Sequence, residues 1–159
     1  MASASASPSV SPSRSPSLSP SKSPSASPSV EPFQVISPSM VGFLKGVYVM
    51  KWPGLRVTGD IGKPVTLANF PDKSVQLIGI FGAGGTIVIQ GNNKVDPDNP
   101  DTPPADDWQT LTDPLGSSLS FTSAGLKQIQ ENTYWIRPYV SAGVYLTDVD
   151  VYLVAVSQR

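Results

Sequence analysis

The chain contains no cysteine and no histidine. The first absence removes disulfide staples, thiolate metal ligands and a cysteine nucleophile. The second removes imidazole acid–base chemistry, a Ser-His-Asp arrangement and His-ligated metals. Charge is scarce as well. Only 14% of residues are charged, and 11 Lys and Arg against 12 Asp and Glu leave a formal net charge of -1. A balance this close to neutral argues against a nucleic-acid partner held by phosphate neutralisation. No apolar run approaches the ~18 residues of a membrane-spanning helix. The N-terminus lacks the charged segment and apolar stretch of an export signal. Neither a membrane nor a nucleic acid is expected as a partner, and no cofactor is implied.

What is abundant is proline, with 17 residues, and serine at the N-terminal end. From Ser3 to Ser29 every odd position is Ser, and Pro recurs every fourth residue from Pro8 to Pro32. Pro removes a backbone donor at each repeat, which excludes a helix and disfavours a central strand. Residues 1–32 therefore read as a low-complexity, solvated tail with polyproline-II bias. At ~3.1 Å per residue, thirty residues reach roughly 90 Å. Arg14 and Lys22 are the only charges in residues 1–30. They allow a weak electrostatic arm, but a solubilising spacer is the plainer reading.

Residues 33–159 change composition to Val, Ile, Leu, Tyr and Phe, broken by Gly, Pro, Asn and Asp. Short apolar runs between turn clusters are the signature of an all-β domain. Strands are expected at 47–52, 55–58, 64–68, 75–81, 86–90, 108–111, 119–122, 133–140 and 147–156. In the last, Val149, Val151, Leu153 and Ala155 face one way, while Asp148, Asp150 and Tyr152 face the other. In 86–90, Ile87 and Ile89 oppose Val88. Pro138 predicts that 133–140 is an edge strand or is bulged there. At 123–132 the spacing of Leu126 and Ile129, with Ser123 as a cap, predicts a short helix. Eight or nine antiparallel strands and one short helix suit a two-sheet β-sandwich or jelly roll.

Candidate sites each have a plainer alternative. Gly82, Gly84 and Gly85 look like a phosphate loop. A dinucleotide fingerprint needs a following helix, whereas Thr86 to Gln90 alternate as a strand, so a hairpin turn is expected. The acidic, proline-rich insertion 92–107 carries Asp96, Asp98, Asp101, Asp106 and Asp107, five of the twelve acids. Hard oxygen ligands suit calcium, but the EF-hand pattern is not met and a solvated loop is favoured. Asp60, Asp113, Glu131, Asp148 and Asp150 supply carboxylates for glycosidic hydrolysis, yet no pair is selected by the sequence. Trp108, Tyr134, Trp135 and Tyr139 suit a sugar-stacking platform or, more plainly, a core or subunit interface. Arg137 is expected in a structural ion pair, with Glu131 or with another acid.

Three segments carry a resemblance. They are Val75 through Asn93, ending Gln90-Gly91-Asn92-Asn93; Trp108-Gln109-Thr110-Leu111-Thr112-Asp113-Pro114-Leu115-Gly116; and Leu126 through Val140, containing Glu131-Asn132-Thr133-Tyr134-Trp135-Ile136-Arg137-Pro138. In this order they resemble small virion structural proteins of tailed bacteriophages, of the head decoration or accessory capsid type. The likeness spans about residues 70 to 155. Val144-Tyr145-Leu146 and the acidic insertion depart from it, and the Ser/Pro tract is not part of it. The resemblance implies a non-enzymatic assembly protein on the capsid exterior, made in the host cytoplasm. Its partners would be capsid protein or its own copies, with the tail as tether or strap. Trp135, Tyr139, Arg137 and Tyr152 are the interface candidates. The alternative is a carbohydrate-binding, adhesive β-sandwich whose partner is a surface glycan. An assembly protein is expected to show an exposed apolar patch or an unpaired edge strand.

Overall fold

The computed structural model describes residues 32–94, 107–143 and 147–157. The expected tail lies outside them except for Pro32, as do Asp96, Asp98, Asp101 and Asp106.

Twelve strands occur among the described residues: β1 (Val35–Ile36), β2 (Ser39–Leu44), β3 (Val47–Leu55), β4 (Ile61–Gly62), β5 (Val65–Thr66), β6 (Asp72–Ile80), β7 (Thr86–Asn92), β8 (Gln109–Thr110), β9 (Ser120–Phe121), β10 (Gly125–Ile129), β11 (Trp135–Ala142) and β12 (Asp148–Val156). They form two sheets. A seven-stranded sheet runs β1-β4-β11-β7-β8, with β5 also on β11 and β9 also on β7. A five-stranded sheet runs β10-β6-β12-β3-β2. All pairings are antiparallel except the short β1–β4 pair.

The sandwich follows from alternation. On β12, Val149, Val151, Leu153 and Ala155 are fully buried, and on β7 so are Ile87 and Ile89. They join Trp52, Leu55, Val75, Leu77, Ile136 and Val140 in one cluster supplied by both sheets. Each Val, Leu or Ile among them contributes ~1.5–3 kcal/mol by leaving water, which is why the period-2 pattern fixes the faces.

Four local expectations are corrected. The segment expected as a helix is strand β10, and no α-helix occurs among the described residues. Its burial alternates, with Ile129 inside and Leu126 exposed, so the three-residue spacing of the two apolar side chains was not a helical stripe. The glycine loop is a turn with positive φ at Gly82 and Gly84, but not a hairpin. It carries the chain from β6 in one sheet to β7 in the other. Pro53-Gly54 does not end a strand. Both residues lie within β3, where the register against β12 shifts between Val149 and Val151, a bulge opposite Asp150.

Pro138, lastly, sits in a central strand, paired with β7 on one side and with β4 and β5 on the other. The β11 bulge falls later, between Val140 and Ala142. Val140 donates its N–H to Asp60 O on the β4 side. Amides two residues apart along a strand share an edge, so the nitrogen of Pro138 faces that side as well. There it falls at the break between β4 and β5, where a missing donor does least harm. Gly62 makes room for the ring: a Cβ there would stand 2.5 Å from Pro138 Cδ.

Candidate functional site

The carboxylates proposed for hydrolysis hold the fold. Asp60 is buried and accepts backbone N–H bonds from Gln34, Arg56 and Val57 at 2.8, 2.8 and 3.0 Å. Asp113 caps its turn through the N–H groups of Leu115 and Ser117. Glu131 accepts from the N–H and hydroxyl of Thr112, at 2.6 Å for the latter. Asp148 pairs with Arg56 at 3.3 Å and Asp150 with Lys51 at 2.6 Å. The bonds from Asp150 and Tyr152 hold the Lys51 ammonium above its ordinary pKa. Asp107, the described member of the calcium candidates, pairs with Lys94 at 3.0 Å. No group of three metal-binding side chains occurs among the described residues.

Two surfaces remain. The first is β2. It ends the five-stranded sheet, so one side of its backbone has no strand partner among the described residues. Its sequence, Ser-Met-Val-Gly-Phe-Leu, carries no charge, and Met40, Val41, Phe43 and Leu44 are 58%, 52%, 61% and 71% exposed. The strand is set by the turn that follows it. Lys45 and Gly46 both have positive φ, at 45° and 86°, the two-residue arrangement that matches strand twist in a hairpin. The Phe43 ring lies 4.8 Å from Tyr48, and Tyr48 lies 4.7 Å from Phe70, so aromatic contact runs from the exposed edge to the core. Sequence reading missed β2 because an edge strand exposed on both faces has no alternation. The Lys45-Gly46 pair between two apolar runs was the available signal.

The second surface is the outer face of the seven-stranded sheet around Arg137. Arg137 and Gln90 are register partners on β11 and β7, and Arg137 Nε donates to Gln90 Oε1 at 3.0 Å. The guanidinium stacks 3.9 Å over the Trp108 ring. The expected ion pair, with Glu131 or another acid, does not occur among the described residues: no carboxylate there pairs with Arg137. Burial lowers its pKa to about 10. Gln90, Arg137 and Tyr139 line a hollow of ≈ 330 Å³ with Phe33, Gly59 and Ile61. Trp135 and Arg137 are thus buried in the chain, while Tyr139 and Tyr152 are half-buried. Tyr152 lies on the other sheet, its ring 5.3 Å from Lys51 Nζ. Tyr134 packs edge-on to Trp135 at 5.1 Å. Trp108, Trp135 and Tyr139 therefore gather around one sheet face, but the first two are enclosed and do not form an open stacking platform.

No protein-family model matches the chain, and no curated protein does. Among solved structures it is similar to the crystal structure of SPBc2 prophage-derived protein YomS. Identity is 13% and the TM-score 0.48, over 73% of this chain and 99% of that one. A likeness at this level assigns neither family nor function.

Proposed function

We propose that this chain is a non-enzymatic virion structural protein of a tailed phage, of the head decoration or accessory type. It works by attachment. The β domain binds its own copies or the capsid lattice on the head exterior, and the Ser/Pro tract serves as tether or strap. The observation that carries this reading is β2, an uncharged edge strand with four exposed apolar side chains. A free edge of this kind is a template for pairing with another chain, and self-pairing about a two-fold axis needs no second surface. The sequence resemblance over residues 70 to 155 supports the same reading. So does the engagement of Asp60, Asp113, Glu131, Asp148 and Asp150 in fold-holding bonds.

The test is size-exclusion chromatography with light scattering on the full chain across a concentration series, paired with co-sedimentation with phage heads. Oligomers or head binding are expected. Val41→Lys combined with Phe43→Lys should weaken both while leaving the melting temperature nearly unchanged, because both side chains are exposed. A strict monomer without affinity for heads overturns the reading.

A further inference from the structure

Arg137 is a buried cation that no carboxylate among the described residues neutralises. It is 8% exposed, its Nε is used by a neutral amide, and one face of the guanidinium is covered by Trp108. A buried charge without a counter-charge is costly, and the remaining guanidinium nitrogens form a fork suited to a carboxylate. The same strip of sheet is short of acceptors elsewhere. Trp135 Nε1 and Asn92 Nδ2, on register partners two residues along from the Gln90–Arg137 pair, are buried without a hydrogen-bond partner among the described residues.

The hollow against Arg137 has mixed chemistry. Tyr139 and the 63%-exposed Phe33 supply aromatic surface, and Gln90 adds an amide whose oxygen is already used, leaving its NH₂ to donate. Among the described residues, Arg137 is the one charged residue lining it. A single cation matches a monoanion and not a phosphate monoester dianion. Aromatic walls match the C–H face of a sugar ring, and amide and phenol match its hydroxyls. A protein carboxylate would use the fork but leave the aromatic walls and the amide without a role.

We infer that the Arg137–Gln90–Tyr139–Phe33 hollow binds a carboxylate-bearing sugar, a uronic- or sialic-acid residue of a surface glycan. The carboxylate takes the guanidinium fork and the ring lies against Tyr139 and Phe33. This site is separate from β2 and does not depend on the assembly role.

The test is titration of the full-length protein with methyl glucuronide, the methyl glycoside of N-acetylneuraminic acid, methyl glucoside and acetate, followed by chemical shifts or calorimetry. Saturable binding of at least one acidic sugar is expected, with the neutral glucoside about tenfold weaker or more because it lacks a charged acceptor for the fork, and acetate about tenfold weaker or more because it lacks the ring that meets Tyr139 and Phe33. Arg137→Lys, which keeps the charge but loses the fork, should weaken binding about tenfold. Phe33→Ala, at an exposed position, should weaken it several-fold without disturbing the fold. Absence of saturable binding by both acidic sugars overturns the proposal. So does a neutral sugar or acetate that binds as well as the acids, and so does an unchanged affinity in folded Phe33→Ala and Arg137→Lys proteins.

Discussion

The five-stranded sheet has two ends, β2 and β10, and they are built oppositely. β10 is closed. Its inward-facing Lys127 lies 3.3 Å from Ser118 O and 3.7 Å from Asp113, with the Phe121 ring 5.4 Å from Nζ. Ile129 is buried at its end, in register with the buried Lys73. An inward lysine on an edge strand is a known device against edge-to-edge pairing. β2 has no such device. It has neither a charge nor a proline, and its apolar side chains face water. The edges of the other sheet, β1 and β8, are two residues each and offer little to pair with. Among the described residues, then, one long edge is guarded and the other is open, and that asymmetry is what a surface meant for a partner would show.

The largest expected effect tests whether the closed end is part of the core while the open end is not. Ile129→Ala removes a fully enclosed side chain and should cost about 2–5 kcal/mol in denaturant unfolding. Phe43→Ala, at a 61%-exposed position, should stay within about 0.5 kcal/mol. Comparable losses at the two sites would dissolve the contrast.

A smaller effect comes from Lys73, whose Nζ donates to Phe70 O at 2.5 Å and to Asn132 Oδ1 at 2.6 Å. Burial holds its pKa below the ordinary 10.5, opposed by the Asp72 charge. The unfolded chain thus binds this proton more tightly than the folded one. Its contribution to stability therefore rises as pH climbs from the lowered folded value toward 10.5. Melting curves should show the gap between wild type and Lys73→Met shifting in favour of wild type across that window. Parallel pH profiles for the two proteins would mean that Lys73 titrates as it does when unfolded.

These contrasts also mark what the sequence makes legible. β12 and β7 could be read because each has one face in a core and one toward water, so burial imprints a period of two. β10 could not. Its inward position 127 is a lysine and its outward Leu126 is apolar, so the pattern contradicts the burial. β2 left no pattern because it has no buried face. The turn between β6 and β7 was readable locally, but a glycine turn does not say which sheet receives the next strand. Arg137 was singled out, yet its actual neighbours, Gln90 and Trp108, are brought to it by strand pairing and by a segment remote in sequence. The acid nearest to it along the chain, Glu131, is engaged by Thr112 instead.

The smallest stability effect bears most directly on the asymmetry. Lys127→Val makes β10 uncharged, like β2, and replaces a half-buried lysine whose closest polar contact is 3.3 Å. Exposed pairs of this sort contribute ~0–1 kcal/mol, and the added β-branched side chain suits a strand, so thermal stability should barely move. Association should respond in the opposite way. In a Val41→Lys/Phe43→Lys background, where the β2 edge is blocked, wild-type Lys127 should give a monomer by light scattering. Adding Lys127→Val should restore concentration-dependent self-association through the other edge. If the triple variant stays monomeric at the concentrations where the unmodified chain associates, the lysine is not what closes β10. The cause must then be sought in the 112–118 turn, which reaches β10 through Asp113 and Ser118.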